Sequence, residues 1–112
     1  MTTAFQFSLQ NQLGRTYTLQ SFAGRWLVLY FYPKDDTPGC TAEACSIRDS
    51  YQDLLNLGAD VVGISKDTTK SHEKFAQKHG LQFSLLSDPT GSTIKAYGAW
   101  GKTMVGVKGI LR

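Results

Sequence analysis

At 112 residues the chain has room for one hydrophobic core and no second domain, so a single domain over 1–112 is expected. Its 41% hydrophobic and 19% charged content is that of an ordinary globular protein. The net charge of +3 is scattered, with no basic run and no interleaved aromatics, which argues against nucleic-acid binding.

The opening "MTTAFQFSLQNQ" lacks a basic stretch followed by an apolar core, so a secretory leader is not expected. "FQFSL" and "TYTLQSF" read as short strands around an Asn-Gln-Leu-Gly turn. "WLVLYFY", bounded by Gly24 and Pro33, is a continuous apolar run of the kind buried on both faces of a sheet. It is far too short to span a bilayer, and no membrane partner is expected. The setting inferred is the cytoplasm, where a permanent disulfide is disfavoured. Two cysteines there point to redox chemistry or metal binding.

A helical pattern follows, with Ala44, Ile47, Tyr51, Leu54 and Leu55 at spacings of three and four and Gly58 beyond its end. "ADVVGIS" is a second buried strand, and "TTKSHEKFAQKHG" reads as an exposed helix closed by Gly80. "FSLLSD" is a third strand, "DPTG" a turn, "STIKAYGAW" a short helix, and "VKGILR" the start of another strand. Alternation of strand and helix implies an α/β fold with a central, partly parallel sheet. Trp26 and Trp100 read as packing residues, and no glycine-rich phosphate loop is present.

Both cysteines fall in "YPKDDTPGCTAEAC". Thr37 suits an N-cap and Pro38 the first helical position, which puts Cys40 in the first turn. Unpaired N–H groups and the helix dipole favour an anion there, so Cys40 is expected to be the reactive thiolate. Asp35 and Asp36 would oppose that charge if close, and are read as exposed loop residues. Cys45 lacks the dipole's help; read alone, it is open between a small core residue and a reactive partner. Five residues of helix rise about 7.5 Å and turn through roughly 500°. A disulfide needs Cα atoms within about 7 Å, so the two cysteines can join only if the first turns unwind.

The stretch "FYPKDDTPGCTAEAC" resembles the active-site segment of the peroxiredoxins, specifically the bacterioferritin comigratory protein or peroxiredoxin Q subgroup. Pro33, Thr37 and Cys40 match that family's Pro-x-x-x-Thr-x-x-Cys motif, and Cys45 matches the subgroup's second cysteine. Similarity continues through "GADVVGISKD", "FAQKHGL", "FSLLSDPTG" and "KAYGAWG". The resemblance implies a thioredoxin-like fold and reduction of hydrogen peroxide and organic hydroperoxides, without a cofactor. By the same resemblance Cys40 is the peroxidatic and Cys45 the resolving cysteine. Thr37 would hydrogen-bond thiolate and peroxide, Pro33 would shield the site from water, and Arg112 would polarise the peroxide. A thioredoxin-like reductant would then reduce the Cys40–Cys45 disulfide, and a monomer is expected. Family members continue past the matching arginine with further sheet and helix, so the domain is read as C-terminally incomplete.

Two other readings compete. A metal module could draw on Cys40, Cys45, His72 and His79, although the cysteine spacing is unusual for zinc and both histidines read as surface residues. A thioredoxin-like dithiol reductase would be expected to carry Cys-x-x-Cys, which is absent.

Overall fold

The computed structural model describes residues 6–22 and 26–96, and the backbone of 106–111. The first pair of strands, β1 (Ser8–Gln10) and β2 (Thr16–Thr18), is antiparallel and joined at the expected turn. Asn11 holds that turn by accepting from the Leu13 and Arg15 amides, both at 3.0 Å. The strand expected to run through "TYTLQSF" stops at Thr18, and Leu19–Phe22 forms a 3-10 turn instead. Leu19 and Phe22 lie three apart, and the turn puts both into the core, where an extended chain would have put them on opposite faces.

The strand β3 (Trp26–Phe31) lies between parallel β4 (Ala59–Ser65) and antiparallel β6 (Gly106–Leu111). With β5 (Ser84–Ser87) the six strands run in the order β2-β1-β5-β4-β3-β6. Successive side chains of a strand point to opposite faces, so the sheet has two cores. One collects Leu27, Leu29, Phe31, Val62, Ile64 and Leu86 with Phe7, Leu19, Phe22 and Ile94. The other collects Tyr30, Tyr32, Val61, Phe83 and Leu85 beneath the two longer helices.

Those helices are α1 (Pro38–Asn56) and α2 (Thr69–His79). Ala44 is fully buried on α1, with Ile47, Tyr51 and Leu54 half-buried behind it along the same stripe. Thr68 caps α2 by accepting from the Ser71 amide at 3.1 Å, and Gly80 ends it at φ 63°. The third helix, α3 (Ser92–Ala96), begins where the buried Asp88 carboxylate accepts from the Ile94 amide at 2.9 Å. No helix among the described residues is long and apolar enough to cross a membrane.

The expectation that α2 is exposed is corrected. His72, Phe75 and Ala76 are buried on its inner face. Their spacing of three and four is the usual signature of a core-facing stripe, and only their small number hid it.

Candidate active site

Strand β3 delivers the chain to a loop, residues 32–37, that turns directly into α1. Thr37 is the N-cap in extended conformation, Pro38 opens the helix, and Cys40 follows within the first turn. The Thr41 amide closes that turn on the Thr37 carbonyl at 2.8 Å. Pro38 cannot donate a main-chain hydrogen bond, and here none is needed. Thr37 does not use its hydroxyl as a cap: Oγ1 donates to the Lys34 carbonyl at 3.1 Å. Its lone pairs therefore remain able to accept.

Both cysteines are free thiols on one uninterrupted helix. Cys40 is only 4% exposed and packs in the same buried cluster as Tyr30, Tyr32 and Ala44. Cys45 is half-buried and belongs to neither buried cluster, so it is not the core residue that one of its readings made it. Pro33 is exposed on the loop. Arg112 and Trp100 lie outside the described residues.

The two loop aspartates, both expected in solvent, diverge. Asp36 adopts φ 61°, a left-handed conformation that non-glycine residues rarely take. That turn leaves Asp36 outside, where Lys78 Nζ at 2.8 Å and His79 Nε2 at 3.0 Å reach its carboxylate. Those two hydrogen bonds, Lys78 first, hold the Asp36 carboxyl below its ordinary range.

Asp35, by contrast, is buried, which corrects the sequence reading. Its Oδ1 accepts from Tyr32 Oη at 2.5 Å, and its Oδ2 accepts from Ser71 Oγ at 2.8 Å. His72 Nδ1 lies 2.7 Å from the same Oδ2. The Asp35 amide donates to Asp67 Oδ2 at 2.8 Å, and Asp67 also accepts from Ser65 Oγ at 2.7 Å.

His72 is 0% exposed, not a surface residue. Its Nε2 faces the Leu86 carbonyl at 3.0 Å, and a carbonyl only accepts, so Nε2 carries a proton. Nδ1 faces a carboxylate, so a second proton is held between Nδ1 and Oδ2. The pair is thus neutral as a unit, the condition under which a buried acid and base are tolerated. Burial pushes the Tyr32 phenol well above its ordinary range, with the Asp35 charge adding to it. This network fastens the loop before Cys40 to α2 and to β5. The sequence carries only one sign of it, a histidine three residues before a phenylalanine on a helix.

The metal set considered from the sequence is not assembled. Among the described residues the one cluster of potential ligands is Asp35, Asp67 and His72, and neither cysteine belongs to it. The ligand atoms of that cluster are already spent on one another and on Tyr32, Ser65 and Ser71.

The AhpC/TSA family profile matches residues 2–111. A chloroplastic peroxiredoxin Q from Sedum lineare is 50% identical over 92 residues, covering 82% of this chain and 50% of the relative. A putative peroxiredoxin bcp from Coxiella burnetii is 48% identical, covering 82% of this chain and 61% of its own length. The chain spans about half the length of the curated relatives it matches. Among solved structures, a peroxiredoxin Q variant from Xanthomonas campestris superposes with TM-score 0.81 at 37% identity, covering 92% of this chain and 69% of that one. Peroxidoxin BcpB from Mycobacterium tuberculosis gives 0.84 at 35% identity, covering 96% and 73%. The fold is therefore the α/β one that the strand and helix order led us to expect and the thioredoxin-like one that the resemblance implied, with helices on a mixed sheet.

Proposed function

The chain belongs to the AhpC/TSA family, and from that premise we propose that it is a thiol peroxidase acting on hydrogen peroxide and organic hydroperoxides. The observation that carries the reading is a buried free thiol, Cys40, in the first turn of a long helix that also bears the second thiol. A Xanthomonas campestris bacterioferritin comigratory protein among the structural neighbours is described by its alkyl peroxide reduction activity, which supports an organic peroxide as one substrate.

In this reading the Cys40 thiolate attacks the terminal peroxide oxygen. An S–O bond forms, the O–O bond breaks, and the alcohol or water leaves with one proton; sulfur is oxidised and peroxide reduced. Thr37, whose hydroxyl hydrogen is committed to Lys34, accepts the peroxide O–H and so orients the oxygen for attack. Pro33 covers the solvent approach, and Arg112 supplies positive charge to the peroxide oxygens. The Cys45 thiol then displaces the new oxygen as water, forming the disulfide that a thioredoxin-like reductant reopens. A monomer in the cytoplasm, without metal or organic cofactor, suffices for this cycle.

Intact-mass measurement after one equivalent of peroxide tests it. We expect the loss of two hydrogens in the wild type and the gain of one oxygen in Cys45→Ser. An unchanged mass in both would refute the peroxidase reading.

A further inference from the structure

Tyr30 sits in the middle of β3, 1% exposed, and its hydroxyl has no hydrogen-bond partner among the described residues. Leaving a buried phenol unpaired costs on the order of 1–3 kcal/mol, which phenylalanine at the same place would avoid. Tyr32, two residues on, faces the same core, and Asp35 satisfies its hydroxyl. The lone phenol is not a consequence of loose packing. Its ring stacks on Tyr32 with centroids 5.3 Å apart and meets Phe83 edge-on at 6.1 Å. On β4 its register partner is Gly63, where a Cβ would come within 2.8 Å of Tyr30 Cε1. Only glycine leaves room for the ring.

The ring belongs to the buried cluster that contains Cys40 and Ala44, on the inner side of α1. Burial pushes the phenol far above its ordinary range, and negative charge at Cys40, Asp35, Glu43 and Cys45 pushes it further, in that order. The unpaired hydroxyl thus lies in the same buried cluster as the Cys40 side chain, on one face of the sheet beneath α1. The Cys40 sulfur does not pair with the hydroxyl, whereas a sulfenic oxygen is a good acceptor and extends the side chain by one more atom.

We propose that Tyr30 is the hydrogen-bond donor for the oxygen that Cys40 receives from peroxide, satisfied only once that oxygen is in place. The inference rests on the peroxidase reading above. No covalent change occurs at Tyr30. Its O–H withdraws electron density from the sulfenate oxygen, which lowers the nucleophilicity of Cys40 towards a second peroxide and slows conversion to sulfinic acid.

The test compares Cys45→Ser with Cys45→Ser/Tyr30→Phe, under excess peroxide, by intact mass. Loss of one hydrogen bond should speed gain of the second oxygen roughly three- to tenfold, while the reduced Tyr30→Phe protein melts no lower than its parent. An equal or slower second oxidation overturns the proposal and leaves the peroxidase reading standing. A lowered melting temperature also overturns it, because the hydroxyl would then have a partner before oxidation. If neither protein gains a first oxygen, both readings fall together.

Discussion

Replacing Cys40 with serine is expected to abolish peroxide reduction, with a loss on the order of 10³-fold or more, above about 4 kcal/mol of transition-state stabilisation. Serine keeps the shape and most of the packing in the cluster around Tyr30 and Ala44. However, an alcohol is a far weaker nucleophile than a thiolate. Cys45→Ser should behave differently: the first turnover proceeds and the cycle then stalls, because only the step after S–O bond formation needs the second sulfur. Stopped-flow peroxide consumption, with one and with many equivalents, separates the two. Equal first-turnover rates in wild type and Cys40→Ser would move the reactive role elsewhere.

The second large effect concerns stability. Asp35→Ala leaves His72 buried without its counterpart and removes the acceptor of both Tyr32 and Ser71. Breaking a buried pair on one side typically costs about 3–5 kcal/mol, a large share of the 5–15 kcal/mol that holds a domain together. The melting temperature should fall by about 10 °C or more. Asp35→Asn is the informative control. Its carboxamide oxygen still accepts from Tyr32 or Ser71, and its NH₂ donates to Nδ1 of a neutral imidazole that keeps its Leu86 bond. It should cost about 1–2 kcal/mol. If alanine and asparagine destabilise equally, the carboxylate itself matters and hydrogen-bond satisfaction does not explain the network.

These two residues also mark how far the sequence could be read. The place of Cys40 in the first turn of α1 was legible because its signal is local: Thr37, Pro38 and the helix start lie within four positions of it. The strands β3, β4 and β5 were legible because burial on both faces gives unbroken apolar runs, and α1 because its stripe, Ala44 to Leu55, repeats over about three turns. Asp35 was not legible. Apart from Tyr32, its partners are 32 to 37 residues away, and the left-handed backbone that separates it from the exposed Asp36 has no glycine to announce it. His72 was misread for the same reason, since a polar side chain on a charged helix gives no sign that a carboxylate waits beneath it. The 3-10 turn at Leu19–Phe22 depends on reaching the core formed by Leu27, Leu29 and Phe31, and composition alone does not reveal that. The place of β6 beside β3 is likewise a non-local choice, set by which edge was left open.

Cys40 and Cys45 occupy one helix with all its turns intact, so the disulfide of the proposed cycle requires the start of α1 to open. Local opening of one or two terminal turns lies well below global unfolding in free energy and fits within a catalytic cycle. Amide hydrogen exchange across residues 40–51, in reduced and peroxide-oxidised wild type, measures this directly. The account predicts faster exchange from Cys40 through Ile47 in the oxidised protein, with protection retained in oxidised Cys45→Ser. Full protection at Ala44 and Ile47 in an oxidised wild type that has lost two hydrogens would contradict it.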